Sequence, residues 1–212
     1  MNNEYYVDPL FSDPIYNSKI NLDLKPYIDL SLIEKQNAYS VDGDKKALDN
    51  PTGASAELYI LDNEKFKNLK NEILTHLNVY TKDFLKYTNN FKITTSWITY
   101  TNPGSRGILH RHRNSLLSGI VYLQTDENSG NIIFEKYKNV NDFYVDREEH
   151  NLFNSELYYY KPFDNKIVIF PSDVFHRIGK NKSNILRISI AFNAVPDGTF
   201  GTGDSVLTIK WV

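Results

Sequence analysis

Three of the five histidines stand where an imidazole can do chemistry. His110 and His112 are one residue apart in ILHRHRN. On an extended strand, side chains at i and i+2 leave the same face with Cα atoms about 6.5–7 Å apart, so two imidazoles can converge on one metal ion. His176 follows in FPSDVFHRI, past the apolar run KIVIF and a turn at Pro171. Two ligands from one strand and a third from a distant one make a facial site that leaves metal positions open for substrate or dioxygen. The plain alternative is an H-x-H pair that faces solvent or hydrogen-bonds locally. Further on comes Arg187, in NILRISIAFN. Arg187, Ser189 and Ala191 share one face of that segment, and Leu186, Ile188, Ile190 and Phe192 share the other. An arginine in an otherwise apolar strand is costly to bury unless an anion meets it. Its fork suits a carboxylate bidentately, and the Ser189 hydroxyl can add a hydrogen bond. An internal salt bridge is the competing use of such an arginine.

Strands must hold these residues in place. After Tyr87 the chain reads as apolar or alternating runs: FKITTSWITY, GILHRHR, LLSGIVYLQ, GNIIFEKY, ELYYYKP, KIVIFP, ILRISIAFNAV and SVLTIKWV. Asn-Pro-Gly, Asn-Ser-Gly, Phe-Asp-Asn and Pro-Asp-Gly separate several of them, which predicts a β-sandwich or barrel. Before it, Phe66, Leu69, Ile73, Leu77, Tyr80 and Phe84 recur at three- and four-residue steps, the stripe of one amphipathic helix over 63–87. Residues 1–60 hold short apolar pairs broken by Pro9, Pro14, Pro26 and Pro51, and read as extended segments wrapped on the core. The expectation is a single domain over 1–212: a wrapping segment (1–60), a supporting helix (63–87) and a β core (88–212).

Composition narrows the function classes. The 212 residues include 15 Tyr and 12 Phe, an aromatic density that favours β-structure over disorder. A net charge of −2 gives no basic footprint for nucleic acid, and no nucleic-acid partner is expected. No run approaches the ~18 apolar residues of a membrane span. The chain has no Cys, which removes disulfides, thiolate metal sites and cysteine nucleophiles. No secretory leader is visible in the first thirty residues, so a cytoplasmic location is expected. The phosphate-cradling motifs G-x-x-x-x-G-K-[ST] and G-x-G-x-x-G are missing as well.

In order and spacing, HRH, FPSDVFH and RIS resemble the iron(II)/2-oxoglutarate-dependent oxygenases. That family carries H-x-D/E, a distal His and then R-x-S on a double-stranded β-helix, or jelly roll. The resemblance covers approximately residues 88–195. His110-Arg111-His112 matches the first motif, His176 the distal ligand, and Arg187-Ile188-Ser189 the motif that grips the far carboxylate of 2-oxoglutarate. Two further positions are similar to the prolyl-hydroxylase branch. Tyr100, followed by Thr-Asn-Pro-Gly, resembles the tyrosine that opens the cosubstrate pocket, and Tyr122 in GIVYLQ resembles the tyrosine paired with the arginine. FSDPIY, SWITYTNPG, HRHRNSLLSGIVYL, FPSDVFH and RISIAFN extend the resemblance to a group of these oxygenases frequent in phage and marine bacterial genomes. A phage-encoded member would act in the host cytoplasm.

The resemblance implies a dioxygenase that couples oxidative decarboxylation of 2-oxoglutarate to succinate with hydroxylation of a C–H bond. Fe(II), 2-oxoglutarate and dioxygen are the expected cofactors. His110, His112 and His176 would hold the metal; Arg187, Ser189, Tyr122 and Tyr100 would hold the cosubstrate; no other catalytic residue is required. One position departs from the family pattern, because His112 stands where the acidic ligand is expected. A third imidazole leaves the site one charge unit more positive, and imidazole suits Fe, Zn, Cu and Ni alike. Asp173 and Glu135 are the nearest acids able to complete the ligand set.

Around the ligands, Arg111 and Arg113 alternate away from the histidines toward solvent, while Arg106 is placed to reach a carboxylate at the site mouth. Asn114 and Ser115 either cap the strand end or support the ligands from behind, and His150 sits in a charged loop with no expected role. Tyr137, Phe143, Tyr144 and Tyr158-Tyr159-Tyr160 form either an aromatic substrate wall or strand-face packing. The substrate is a peptide or small molecule. Two rival readings use the same β core. A cupin-like metalloenzyme would use Gly104-x5-His110-x-His112 and Pro171…His176 without 2-oxoglutarate, although Leu116 and Leu117 stand where its glutamate is due. A non-catalytic jelly roll would leave the histidines without a common target.

Overall fold

Alternation along the strands divides the β core into two faces with different partners. The computed structural model describes residues 7–9, 12–40, 52–136 and 146–211. In chain order the first strands are β1 (Tyr16–Lys19), β2 (Tyr39–Ser40), β3 (Thr52–Ala54), β4 (Phe91–Thr101) and β5 (Leu117–Gln124). They are followed by β6 (Ile132–Glu135), β7 (Leu157–Tyr160), β8 (Lys166–Pro171), β9 (Phe175–Ile178) and β10 (Arg187–Pro196). A last hairpin is made by β11 (Gly198–Phe200) and β12 (Leu207–Ile209). The larger sheet has seven strands in the order β1-β8-β5-β10-β4-β3-β2, and the smaller has three in the order β7-β6-β9. Every pairing within them is antiparallel. This is the expected jelly roll.

One face of the larger sheet packs on helices. Ile98, Val121, Leu123, Ile188, Ile190 and Phe192 join Leu69, Ile73 and Leu77 in one buried cluster. Those last three lie on α2 (Lys67–Asn78), which continues as a π-helical turn over Val79–Phe84. The 63–87 stripe therefore forms a helix, but Phe84 at its far end is 68% exposed and meets Tyr16 edge-on. The opposite face contributes Ile120, Tyr122, Val168 and Phe170 to a second cluster with Ile132 and Phe134 of the smaller sheet. The space for chemistry lies between these two sheets.

Two expectations fail for identifiable reasons. Residues 25–34 form a further helix, α1 (Lys25–Glu34), where an extended wrap was expected. Pro26 sits in its first turn, where the missing N–H has no helical partner to lose, so it starts the helix instead of breaking the chain. Ser31 occupies a buried position and donates to the Tyr27 carbonyl at 2.7 Å, which hides the apolar period. The run GILHRHR is not a regular strand either; it meets β9 through an isolated bridge between His110 and His176 and a hydrogen bond from the Gly107 N–H to the Ile178 carbonyl at 2.9 Å. No helix among the described residues is long and apolar enough to cross a membrane.

Gly119 on β5 marks the tightest contact in the sheet. A Cβ there would run into the Phe192 ring on the neighbouring strand. Overpacking of this kind costs about 1–3 kcal/mol. Gly119→Ala should lower the denaturant midpoint accordingly, and adding Phe192→Leu should recover part of the loss. An unchanged midpoint in the single variant would contradict this packing.

Candidate metal centre and active site

Backbone hydrogen bonds bring the histidines together without regular strand structure. The His110 N–H donates to the His176 carbonyl at 3.0 Å, and the His176 N–H returns to the His110 carbonyl at 2.8 Å. Two residues on, the His112 N–H donates to the Ser172 carbonyl at 2.9 Å. Asn114, with φ 57°, then turns the chain into β5, and the Ser115 hydroxyl donates to Ser172 at 2.9 Å. Asn114 and Ser115 thus form the turn between the histidine segment and β5. The three imidazoles each present a ring nitrogen, and these atoms lie within 4.8 Å of one another. That spacing lets one cation touch all three.

Ring orientation favours metal binding. The Nδ1 atoms of His110 and His176 sit 2.9 Å from the Ile108 and Val174 carbonyls. Donation from Nδ1–H to those oxygens leaves each Nε2 lone pair free for a metal. The His112 ring stacks on Trp97 at 5.5 Å between centroids and hydrogen-bonds with Asn193. Asn193 is itself held, because its Oδ1 accepts from Ser118 at 2.7 Å and its Nδ2 donates to Thr95 at 3.0 Å. Burial, helped by the nearby His110 charge, pushes the His112 pKa down to about 4. The same two causes push His176 down to about 3, against the opposing pull of the Val174 carbonyl. Both rings are neutral at neutral pH, the state in which imidazole binds metal.

A second polar cluster lies on the same face of the larger sheet. Arg187 is fully buried, its guanidinium 4.9 Å from the centroid of the Tyr122 ring. Its Nη1 donates to Ser189 at 3.1 Å, but Nε and Nη2 have no hydrogen-bond partner. No carboxylate among the described residues pairs with it. The buried hydroxyls of Tyr122, Thr101 and Thr52 lack partners as well. Strand register explains why they gather. Arg187 lies opposite Thr101, Thr101 opposite Thr52, and Ser189 opposite Tyr122, so four adjacent strands bring these groups to one spot. Each buried polar group left without a partner costs about 1–3 kcal/mol, and one carboxylate accepting from them removes that penalty. Burial raises the Tyr122 pKa, with the Arg187 charge opposing, so the phenol keeps its proton as a donor.

A cavity of about 450 Å³ holds the three histidines and reaches Thr52, the edge of this cluster. Trp97, Ile120, Phe170 and Ile178 supply apolar wall, and the small Ala191 leaves room on β10 between Arg187 and Asn193. These features fit a divalent metal held by imidazole and a diacid held at its far end by a guanidinium. A cupin-like reading leaves Arg187 without a purpose, and a non-catalytic one leaves the meeting of the imidazoles without one.

Other expected residues fall elsewhere. Tyr100 is a correction: it alternates with Thr99 and Thr101 and so faces the helices, where its hydroxyl donates to the Ser31 carbonyl at 2.6 Å. Glu135 pairs with Arg177 at 3.3 Å, and it lines a separate hollow with Asp173, Tyr158 and Tyr160. Neither acid joins the metal-ligating group. Tyr137, Phe143, Tyr144 and Phe11 of FSDPIY lie outside the described residues. His150 is exposed. Arg111 and Arg113 are exposed, as expected, and the Arg111 guanidinium lies over the Phe175 ring, while both also border the cavity with Arg106. Asn193 and Trp97 were not singled out in the sequence. The alternation that marks Arg187 and Ser189 also reaches Asn193, and that of β4 places Trp97 with Thr99.

Known proteins share this fold. Residues 95–193 match a family model described as "Putative 2OG-Fe(II) oxygenase". Among solved structures, a prolyl-4-hydroxylase from Pseudomonas putida superposes with a TM-score of 0.59 at 13% identity, over 89% of this chain and 96% of that one. HygX from Streptomyces hygroscopicus, solved with nickel, 2-oxoglutarate and hygromycin B bound, gives 0.58 at 11% identity over 86% and 82%. SnoK, a non-heme alpha ketoglutarate dependent carbocyclase from nogalamycin biosynthesis, gives 0.62 at 11% identity over 91% and 84%. At such identities the likeness carries the fold, a double-stranded β-helix. A search of curated proteins finds no match.

The depressed imidazoles predict an acid-sensitive fold. In the unfolded chain a histidine takes up its proton near pH 6.5, whereas His112 and His176 do so only at about 4 and about 3 when folded. The unfolded state therefore binds more protons in this window, and stability that is full above pH ~6.5 is lost as pH falls toward 4. Urea melts of the metal-free protein at about pH 7 and about pH 5 should show the wild type losing more than His112→Gln/His176→Gln. Equal losses would contradict the assignment.

Proposed function

We propose that this chain, whose residues 95–193 match the model of a family described as "Putative 2OG-Fe(II) oxygenase", is such an oxygenase, holds Fe(II) with His110, His112 and His176 and binds 2-oxoglutarate against Arg187. The observation that carries the reading is the buried Arg187 with no acid partner among the described residues, surrounded by hydroxyls that also lack partners. Bound Fe(II) and 2-oxoglutarate supply the chemistry: with dioxygen, the keto acid gives succinate and carbon dioxide, one oxygen atom enters succinate, and the other enters a substrate C–H bond.

The chain's own residues bind and orient. The Ile108 and Val174 carbonyls fix the tautomers of His110 and His176, so that metal binding costs no ring rotation. Asn193 and the Trp97 ring hold His112 in its plane. Arg187 offers Nε and Nη2 to the far carboxylate of the cosubstrate, while Ser189 steadies Nη1. The Tyr122, Thr101 and Thr52 hydroxyls complete the donors around that carboxylate. Phe170 and Ile120 of the larger sheet and Ile132 of the smaller one exclude water from between the sheets, which strengthens each of these contacts. No protein nucleophile or acid–base pair is needed. His112 contributes no negative charge, so the cation keeps its full charge until the diacid binds. The substrate is a peptide or small molecule, and a chain without Cys is suited to the reducing cytoplasm.

Succinate formation with Fe(II) and 2-oxoglutarate, compared between wild type and Arg187→Ala, tests the reading. Loss of two charged hydrogen bonds at about 1.5 kcal/mol each should raise the KM for 2-oxoglutarate on the order of 100-fold. Metal affinity should stay near wild type, since the guanidinium is not a ligand. Equal KM values, or no succinate from the wild type, would overturn the proposal.

A further inference from the structure

Three arginines rim the cavity that holds the histidines. Arg106, Arg111 and Arg113 all line it, all are exposed, and no Asp or Glu among the described residues lines it with them. The Arg111 guanidinium lies 5.3 Å from the centroid of the Phe175 ring. Arg106 and Arg113 make no ion pair or side-chain hydrogen bond among the described residues. The chain as a whole carries a net charge of −2, so this concentration of positive charge is local to the cavity mouth. A cleft lined by one sign of charge focuses its field and draws in ligands of the opposite sign.

Beneath the arginines the wall changes character. Leu58, Trp97, Ile108 and Ile178 are apolar, and Leu58 and Ile108 are about half exposed, at 42% and 51%. A volume of about 450 Å³ is that of a small-molecule site, within the usual ~300–1,000 Å³. The arrangement of a cationic rim above an apolar wall matches a ligand with an anionic head and an apolar body. The ligand set of His112 with two further histidines reinforces the preference, because it brings no negative charge that would repel such a head.

We propose that the substrate is a small amphipathic anion whose carboxylate or phosphate is gripped by Arg106 and Arg113 at the cavity mouth while its apolar body lies along Trp97 and Ile108. This rests on the oxygenase reading of the same site and names its substrate class. Each guanidinium can take two oxygens of such a head in parallel hydrogen bonds, which a lysine could not reproduce. The body then runs past the rim toward the histidines, where its C–H bonds are within the cavity.

Calorimetry on the full chain loaded with Mn(II) and 2-oxoglutarate tests this with four probes of one chain length: octanoate, octyl phosphate, octan-1-ol and octylammonium. The anions should bind at least about tenfold tighter than the alcohol, and added salt should weaken only the anions. The tighter of the two anions identifies the head as carboxylate or phosphate. Arg106→Ala/Arg113→Ala should lose about tenfold for the anions and keep octan-1-ol within about twofold. Arg106→Glu/Arg113→Glu should turn the preference toward octylammonium, an inversion that a merely structural role would not produce. Alcohol binding equal to that of the anions, undiminished anion affinity in the alanine variant, or no anion binding at millimolar concentration would overturn the proposal. Metal and 2-oxoglutarate are titrated first on the same protein, so failure of the oxygenase reading is seen separately; in that case the probe series on the unloaded chain still reads the arginines.

Discussion

A guanidinium buried inside a β-sheet without a carboxylate is the constraint on which the rest of the molecule depends. Moving such a charge out of water costs several kcal/mol even after relaxation, and the described residues offer Arg187 the Ser189 hydroxyl and the Tyr122 side chain in return, with no carboxylate. Three neighbouring hydroxyls are left in the same condition. A strand this apolar would be more stable with a branched aliphatic residue in that position. The arrangement makes physical sense when a dianionic ligand supplies the missing acceptors, and the apo state then carries a binding site at the expense of its own stability.

The fold turns this constraint into geometry through simple strand alternation. One face of β10 carries Arg187 and Ser189 at its start and Asn193 near its end, with the small Ala191 between them. Asn193 stands beside His112, so a single strand face links the Arg187 cluster to the three histidines. The other face, with Ile188, Ile190 and Phe192, anchors the strand to the helical layer. Neither face can shift register by one residue without burying the wrong side chains, which fixes the distance between the two ends. His112 and His176, kept neutral by burial, leave this end of the strand face suited to a cation, while the unpaired donors around Arg187 suit an anion.

Much of this was legible in the sequence. His110, His112 and His176 are recognisable from residue type and spacing, and Arg187 with Ser189 from period-two alternation. The helix over α2 follows from its stripe. Other parts depend on information that no single segment carries. The meeting of Thr52, Thr101, Tyr122 and Arg187 arises from strand order across four strands distant in the chain. Tyr100 went to the helical face because parity outranks motif similarity: Ile98 and Tyr100 point one way, Trp97 and Thr99 the other. The helix α1 was hidden by a buried serine that satisfies its own hydroxyl within the helix.

The central claim is that three imidazoles share one cation and that the diacid bound to it ends on Arg187. A crystal structure of the protein grown with Mn(II) and 2-oxoglutarate, with anomalous data at the manganese edge, tests this most directly. The account predicts one anomalous peak at bonding distance, ~2.0–2.2 Å, from a nitrogen of each of His110, His112 and His176. It also predicts density for 2-oxoglutarate running from that peak to a carboxylate on the Arg187 Nε and Nη2. A manganese held elsewhere, or a diacid whose far carboxylate avoids Arg187, would contradict it.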